Sequence, residues 1–323
     1  MHSCLTRVVL LALTAATGLA HSAAAPYYPT KPIRIIAPFP PGGPGDLVAR
    51  EIGQKMAEAW GQQVVVDNRA GAGGMIAHEM LAKSAPDGYT LLMGSSGGLV
   101  IQPMMSAKLP YDAARDFAPV SRVIVAAHAL VLHPQVPANS VSQLIALAKA
   151  RPGQLNFASA GVGSATQLSG ELFKSMAGIN IVHVPYKGGV PALTDMVAGQ
   201  VQFMFNSIPP VLPFSSVGKL RVIAVTSAKR LAMILDIATV AETLSGLQSG
   251  VWYAIFAPAG TPRPIIAKLS DEIIAVLAES GLAQRLTSQG VDPQGSTPQD
   301  LARLLDEERA RWKNVIAAAH ISE

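Results

Sequence analysis

One cysteine, Cys4, is the whole of this chain's thiol chemistry, and it lies in a segment expected to be removed. A single thiol makes no disulfide within the chain, and thiolate ligation of a metal is excluded once Cys4 is gone. Charge is sparse too. Only 14% of the 323 residues are Asp, Glu, Lys or Arg, and no run of five or six like charges occurs. That removes an acidic tail and a nucleic-acid-binding basic tract, so the formal net +4 is a mild bias that names no partner. Aromatic residues make up 5% against 50% hydrophobic, which is enough for aliphatic cores, and the length suggests two domains.

Long apolar runs are missing as well. Val8–Ala20 has thirteen apolar or small residues, too few to span a bilayer as a helix but suited to a signal-peptide core. His2 and Arg7 precede it, and Ala23, Ala24 and Ala25 supply the small-residue cleavage site. Residues 1–25 are therefore read as a cleavable leader to the periplasm. Cys4 stands before the apolar core, which argues against a lipid anchor.

Nucleotide motifs fail one by one. Gly42, Gly43 and Gly45 are spaced wrongly for G-x-G-x-x-G, Gly71-Ala-Gly73 has Ile76 at the last glycine position, and Gly161-Val-Gly163 has Thr166 there. None ends in the GK[ST] of a phosphate-binding loop. No organic cofactor is expected. His78, His128, His133 and His183 show no H-x-x-x-H spacing and are read as packed or surface residues, so no metal is expected either.

One catalytic pattern matches. Gly94-Ser95-Ser96-Gly97-Gly98 fits G-x-S-x-G after the strand-like YTLLM, with Ser96 as nucleophile of a secreted hydrolase. The triad is incomplete in chain order, because a histidine beyond Asp195 is found only at His320. A ligand-lining turn is the favoured reading, and the protein is expected not to be an enzyme.

Short apolar runs alternate with helical patterns, the mark of an α/β chain with mainly parallel sheets. Strands are expected at Ile33–Ala37, Val64–Asp67, Thr90–Gly94, Ala129–Leu132, Asn156–Ser159, Ile181–Val184, Phe203–Phe205 and Val222–Thr226. Helices are expected at Leu47–Trp60, Ile76–Lys83, Val141–Ala150, Thr166–Met176, Val190–Ala198, Pro264–Glu279 and Pro298–Ala319. No linker separates two halves, so two domains would exchange the chain on strands, with Val120–Leu132 and Val251–Pro258 as crossings.

Two turns stand out. APFPPGGPG opens Ala37–Arg50 with four prolines and three glycines in nine residues, between a strand and a helix. In NFASAGVGSATQLSGELF, Asn156–Phe173, small residues again join strand to helix, and Ser164 with Gln167 forms an S-x-x-Q capping box. Each turn offers free backbone N–H groups at a helix N-terminus, where the macrodipole places about half a positive charge. Such a terminus suits a carboxylate without any basic side chain.

The first turn, together with NRAGAGG (Asn68–Gly74), DGYTLLMGSSG (Asp87–Gly97), LPYDAARDFAPVS (Leu109–Ser121), HVPYKGGVPAL (His183–Leu193) and FAPAGTP (Phe256–Pro262), closely resembles the Bug-type solute receptors of tripartite tricarboxylate transporters. The resemblance covers essentially the whole mature chain. It implies a type II periplasmic-binding-protein fold, with two α/β lobes closing on a small carboxylate held by main-chain N–H groups and waters. The lobes would be residues 26–124 with 249–323, and residues 125–248.

By that resemblance Phe39, Pro40, Gly42, Gly43, Gly45 and Asp46 line one side with Ser95 and Ser96, while Asp46 is alternatively a cap of its helix. Ser159, Gly161, Gly163, Ser164 and Thr166 line the other, with Tyr186 and Asn206 nearby. The implied partners are a small organic acid and membrane permease subunits, and the chain is expected to act as a monomer. Three places depart from the family pattern. Gln167 stands where histidine is common and Asn206 where aspartate is common, and Arg230–Thr239 lacks a proline-rich spacing. Without the aspartate, a ligand ammonium loses its expected partner.

Overall fold

Short runs of branched aliphatic residues between turn residues form strands because their side chains fit a pleated, buried surface. The computed structural model describes residues 28–106, 108–288 and 290–318. The leader at residues 1–25 and His320 lie outside the described residues. The chain begins with β1 (Ile33–Ala37), α1 (Pro44–Trp60), β2 (Val64–Asn68), α2 (Met75–Ala82), β3 (Thr90–Ser95) and a helical turn leading into α3 (Gln102–Met105). The long β4 (Phe117–Leu132) follows, then α4 (Val141–Ala150), β5 (Asn156–Ser159), α5 (Ala165–Ala177), β6 (Val182–Pro185) and α6 (Gly189–Val197). Next come β7 (Phe203–Ser207), α7 (Ile208–Ser216) and β8 (Arg221–Val225). The chain ends through β9 (Gly250–Pro258), α8 (Arg263–Ala278), α9 (Ser280–Ser288), β10 (Val291–Pro293) and α10 (Pro298–Ala318).

The strands form two sheets that share β4. One runs β2-β1-β3-β9-β4, with β10 also on β4, and the other runs β4-β7-β5-β6, with β8 on β4. Residues Phe117 to Ala127 of β4 pair with β9, and His128 to Leu132 pair with β7. The crossing expected at Val120–Leu132 thus falls on β4. Val251–Pro258 is different, because β9 stays in the first sheet, between β3 and β4. The chain comes back just before it, where Ser249 N–H donates to the Thr226 carbonyl at 3.2 Å and Thr226 Oγ1 donates to the Ser249 carbonyl at 2.6 Å.

The expectation of mainly parallel sheets needs correcting. β1 lies parallel to β2 and β3, and β5 parallel to β6 and β7, but every pairing made by β4 and β9 is antiparallel. A chain that passes between two sheets and returns lays down strands in both senses. Four elements went unread. α3 is only four residues long. α7 carries Pro209 and Pro210 in its first turn, where a missing N–H costs nothing, and Pro213 inside, which masks the helical pattern. α9 follows α8 with one intervening residue, and β10 is only three residues long.

In the second sheet both faces of β4 are buried. Leu130 and Leu132 pack with Phe157, Phe203 and Phe205, while Ala129 and Val131 pack with Ala158 and Met204 on the opposite face. That is why the segment reads as one apolar run without alternation. The C-terminal ends of β1, β3, β5 and β7 open toward one crevice, the general position for ligands in open α/β sheets.

Candidate functional site

The turns after β1, β2, β3, β5, β6 and β7 converge on a cavity of about 130 Å³. From the first turn Phe39, Pro40, Gly43, Pro44 and Gly45 form its wall. Gly43 is the N-cap residue of α1, with an extended backbone (φ −81°, ψ 164°) and no side chain to accept from the helix. A Cβ on Gly43 would meet nothing within 4 Å, so this glycine faces open space. Gly45 serves packing instead. A Cβ there would stand 2.6 Å from the rings of Phe39 and Tyr253, which meet edge to face at 5.4 Å.

Asp46 acts as a brace and does not line the cavity. Its carboxylate, 2% exposed, accepts from Gly42 N–H at 2.9 Å and Asn68 Nδ2 at 2.8 Å and pairs with Arg50 at 2.9 Å. Burial alone would raise its pKa, but hydrogen bonds from Arg50, Gly42 and Asn68 bring it below the usual carboxylate value. Gly42 is likewise absent from the wall, because its N–H is turned to Asp46 and its positive φ of 89° shapes the turn. The alternative role weighed for Asp46, holding the helix start, is the one its contacts support.

In the second turn Ala160, Gly163, Ser164, Ala165 and Thr166 line the cavity. Ser164 Oγ accepts from Gln167 N–H at 3.2 Å, which caps α5. The return arm of the expected capping box is displaced by one residue, since Gln167 Oε1 accepts from Gly163 N–H at 2.7 Å. Ser159 and Gly161 are not on the wall. Ser159 Oγ accepts from Gly161 N–H at 3.0 Å and lies 2.6 Å from His183 Nε2, while Gly161 packs beneath the Tyr186 carbonyl. Tyr186 is also off the wall, its hydroxyl donating to Asp195 at 2.9 Å.

Both helix starts leave donors over. Among the described residues the amides of Gly43, Gly45, Ala165 and Thr166 have no acceptor within the protein, and all four residues line the cavity. Orphan N–H groups at paired helix N-termini make an anion site.

Ser95, Gly97 and Gly98 line the cavity after β3, but Ser96 does not. Ser96 has helical backbone angles (φ −52°, ψ −37°), not those of a strained elbow, and its buried Oγ has no hydrogen-bond partner among the described residues. No base among the described residues reaches it. Asn206 lines the cavity with both ends of its amide engaged, Nδ2 donating to the Gly189 carbonyl at 3.3 Å and Oδ1 accepting from Ser207 N–H at 2.9 Å.

Several wall residues were not expected. Among the described residues Lys187 is the one Lys, Arg, Asp or Glu on the wall, and it has no ion-pair partner there. Gly188 follows it and ends the strand-to-helix turn before α6, a third turn of the same design as the two singled out. Its glycine pair was the available signal. Tyr253 comes from β9. His78 and His128 are buried as expected of packed histidines, yet both are on the wall, each with Nε2 lacking a partner among the described residues. Desolvation lowers the pKa of each to about 4.

Among the described residues no acidic side chain lines the cavity. Among the described residues no cluster of three His, Cys, Asp or Glu is placed to hold a metal, and no helix is long and apolar enough to cross a membrane. The cavity closes where the two sheets' turns touch. A Cβ on Gly163 would stand 3.0 Å from Gln102 Cβ, and one on Gly97 would stand 3.2 Å from the Gly163 carbonyl.

The family model described as "Tripartite tricarboxylate transporter family receptor" matches residues 48–321. This chain belongs to that family of receptors. It is 38% identical to the protein BugT of Bordetella pertussis over 304 residues, covering 94% of this chain and 93% of BugT. The receptor is also similar to the solved structure of R. palustris Rpa4515 with adipate, at 36% identity and a TM-score of 0.89, over 91% of this chain and 99% of that one. MatC from Rhodopseudomonas palustris with bound malate is 33% identical with a TM-score of 0.84, over 90% and 100% of the two chains. The receptor has their two-lobed periplasmic-binding-protein fold.

Proposed function

We propose that this receptor captures a small organic carboxylate in the periplasm and passes it to the membrane permease subunits of a tripartite transporter. One observation carries the reading. Two helix N-termini, at Gly43 and Ser164, place unused amides on one cavity whose wall has a lysine and no acidic side chain. Adipate and malate in similar structures are acids of the size this cavity admits. The lobes are residues 26–124 with 249–323 and residues 125–248, the leader is residues 1–25, and the receptor acts as a monomer.

The cleft has no catalytic role. Ser96 has no general base among the described residues and no place on the wall. With Asn206 in place of an acid, the ligand has no ammonium group. Thermal-shift measurements against mono-, di- and tricarboxylates and amino acids test this, because a ligand that binds only the native state raises stability by RT ln(1 + [L]/Kd). Stabilisation by carboxylates and not by amino acids is expected. Stabilisation by amino acids alone, or ester turnover lost in Ser96→Ala, overturns it.

A further inference from the structure

The second turn has little reason to keep one shape by itself. Gly161 and Gly163 have φ of +126° and +75°, and glycine reaches such angles without losing its freedom to leave them. Yet the unused amides of Ala165 and Thr166 serve the cavity only while this turn stays in place. Its hold comes from behind.

A closed chain of hydrogen bonds runs there, and its polarity follows from one fixed point. Gly163 N–H only donates, so the amide atom 2.7 Å away is Gln167 Oε1, and Gln167 Nε2 is turned to His183 Nδ1 at 3.4 Å. An amide nitrogen donates, which makes Nδ1 the acceptor and leaves the proton of the neutral ring on Nε2. That proton lies toward Ser159 Oγ, 2.6 Å away. Ser159 Oγ then donates to the Gly161 carbonyl at 3.2 Å and accepts from Gly161 N–H at 3.0 Å. The chain leaves the turn at Gly163 and re-enters it at Gly161. Turning over the amide or moving the ring proton to Nδ1 sets donor against donor.

His183 is built into the middle place. Its ring stacks on Phe157 at 4.9 Å and 27°. Burial, with a smaller push from Lys174, lowers its pKa to about 4, so the ring is neutral at pH 7. Neither His183, Gln167 nor Ser159 lines the cavity, so whatever they do for a ligand they do through the turn.

We propose that His183 and Gln167 are positioning residues for the bound acid: the Nε2–H tautomer of His183 and the fixed amide of Gln167 hold the turn from Gly161 to Gly163, and with it the amides at the start of α5, in the shape that takes a carboxylate. This rests on the carboxylate-receptor reading above.

Nitrogen NMR of the histidine rings, and calorimetry on the mature chain with the tightest binder among succinate, malate, adipate and citrate, test it. At pH 7 His183 is expected as the neutral Nε2–H tautomer. Gln167→Leu keeps the size and removes both polar ends, and it is expected to bind about tenfold more weakly, the scale of one lost hydrogen bond. Gln167→His again offers one acceptor and one donor and is expected to stay within about threefold of the parent. His183→Phe keeps the stacked ring, cuts the chain in the middle and is expected to weaken binding about as much as Gln167→Leu. A pair that served only the fold would lower the unfolding midpoint and leave the Kd of the folded variants unchanged. An Nδ1–H tautomer or an imidazolium at pH 7 overturns the proposal. So does binding within about threefold of the parent by Gln167→Leu or His183→Phe, or a Gln167→His that binds no better than Gln167→Leu. If either apolar variant does not fold, Ser159→Ala, which cuts the chain at its last link, takes its place with the same expectation. An acid held equally by the parent and these variants sinks this inference alone, whereas no binding by any acid to the parent sinks the receptor reading with it.

Discussion

Pro40 and Gly188 meet across the cavity: a Cβ on Gly188 would stand 2.6 Å from Pro40 Cδ, and Gly188 has φ +133°. The first turn and the turn before α6 belong to different sheets, so this contact is part of what encloses a bound acid. Gly188→Ala adds a methyl group where the other sheet's proline already is, at a backbone angle that an L side chain rarely adopts. We expect weaker ligand binding and a larger radius of gyration in saturating ligand by small-angle scattering. The far-ultraviolet circular dichroism should stay native, because both cores lie away from this turn. Ligand-induced compaction equal to the parent's would show that the contact plays no part in closure.

Gly43 and Gly163 sit on the same cavity wall but predict opposite outcomes for valine. Gly43 has φ −81° and ψ 164°, which valine adopts readily, and nothing within 4 Å of a new Cβ. Gly43→Val should fold with a midpoint near the parent's and bind its acid at least about tenfold more weakly, about 1.4 kcal/mol. Gly163 has φ +75° and Gln102 Cβ at 3.0 Å. Gly163→Val should lose stability by about 1–3 kcal/mol whatever it does to binding, since strain at a positive φ has that order. Urea unfolding and calorimetry on the two variants separate the effects.

Acid should weaken the fold through its buried histidines before the carboxylates titrate. Above about pH 6.5 His78 and His128 are neutral in both the folded and unfolded states. Their folded values are lowered to about 4, so as the pH falls from 6.5 toward 4 the unfolded chain takes up protons that the folded chain refuses. Stability is therefore full above about pH 6.5 and declines below it, at up to about 1.4 kcal/mol per pH unit for each histidine. Urea unfolding between pH 7 and 5 measures the slope. His128→Phe should remove close to one proton from it, and an unchanged slope would mean that the His128 ring is not held neutral.

The parts of the site legible in the sequence are those whose chemistry is local. Proline and glycine before α1, and Ser164 before α5, declare a helix start by themselves, and Gly43, Ser164 and Thr166 do stand on the wall. Asp46 was legible as holding its helix start, whereas Ser159 and Tyr186 were legible as belonging to the turns but not as bracing them from behind, because that depends on which way each side chain points. His78, Lys187 and Tyr253 reach the cavity only through tertiary packing, as Tyr253 does by meeting Phe39 from a strand more than half the chain away. The same limit hid the start of β4, Phe117–Pro119, and left the stretch before Ala129 legible only as part of the crossing at Val120–Leu132. Its register shifts between Pro119 and Ser121 and again between Arg122 and Ile124, so the alternation that marks a strand is broken there. The antiparallel placement of β9 was equally out of reach, since strand order is set by pairings far apart in sequence.

The central claim is that orphan amides at two helix N-termini hold a carboxylate. The direct measurement is calorimetric titration of the mature chain with the acid that gives the largest thermal shift, and with the neutral amide of the carboxyl group it needs, at one ionic strength. An amide keeps the shape but loses the full negative charge, and at a buried helix terminus that charge is worth up to about 2 kcal/mol for each helix. The account predicts that the acid binds at least about tenfold more tightly than its amide. Equal affinities would contradict it.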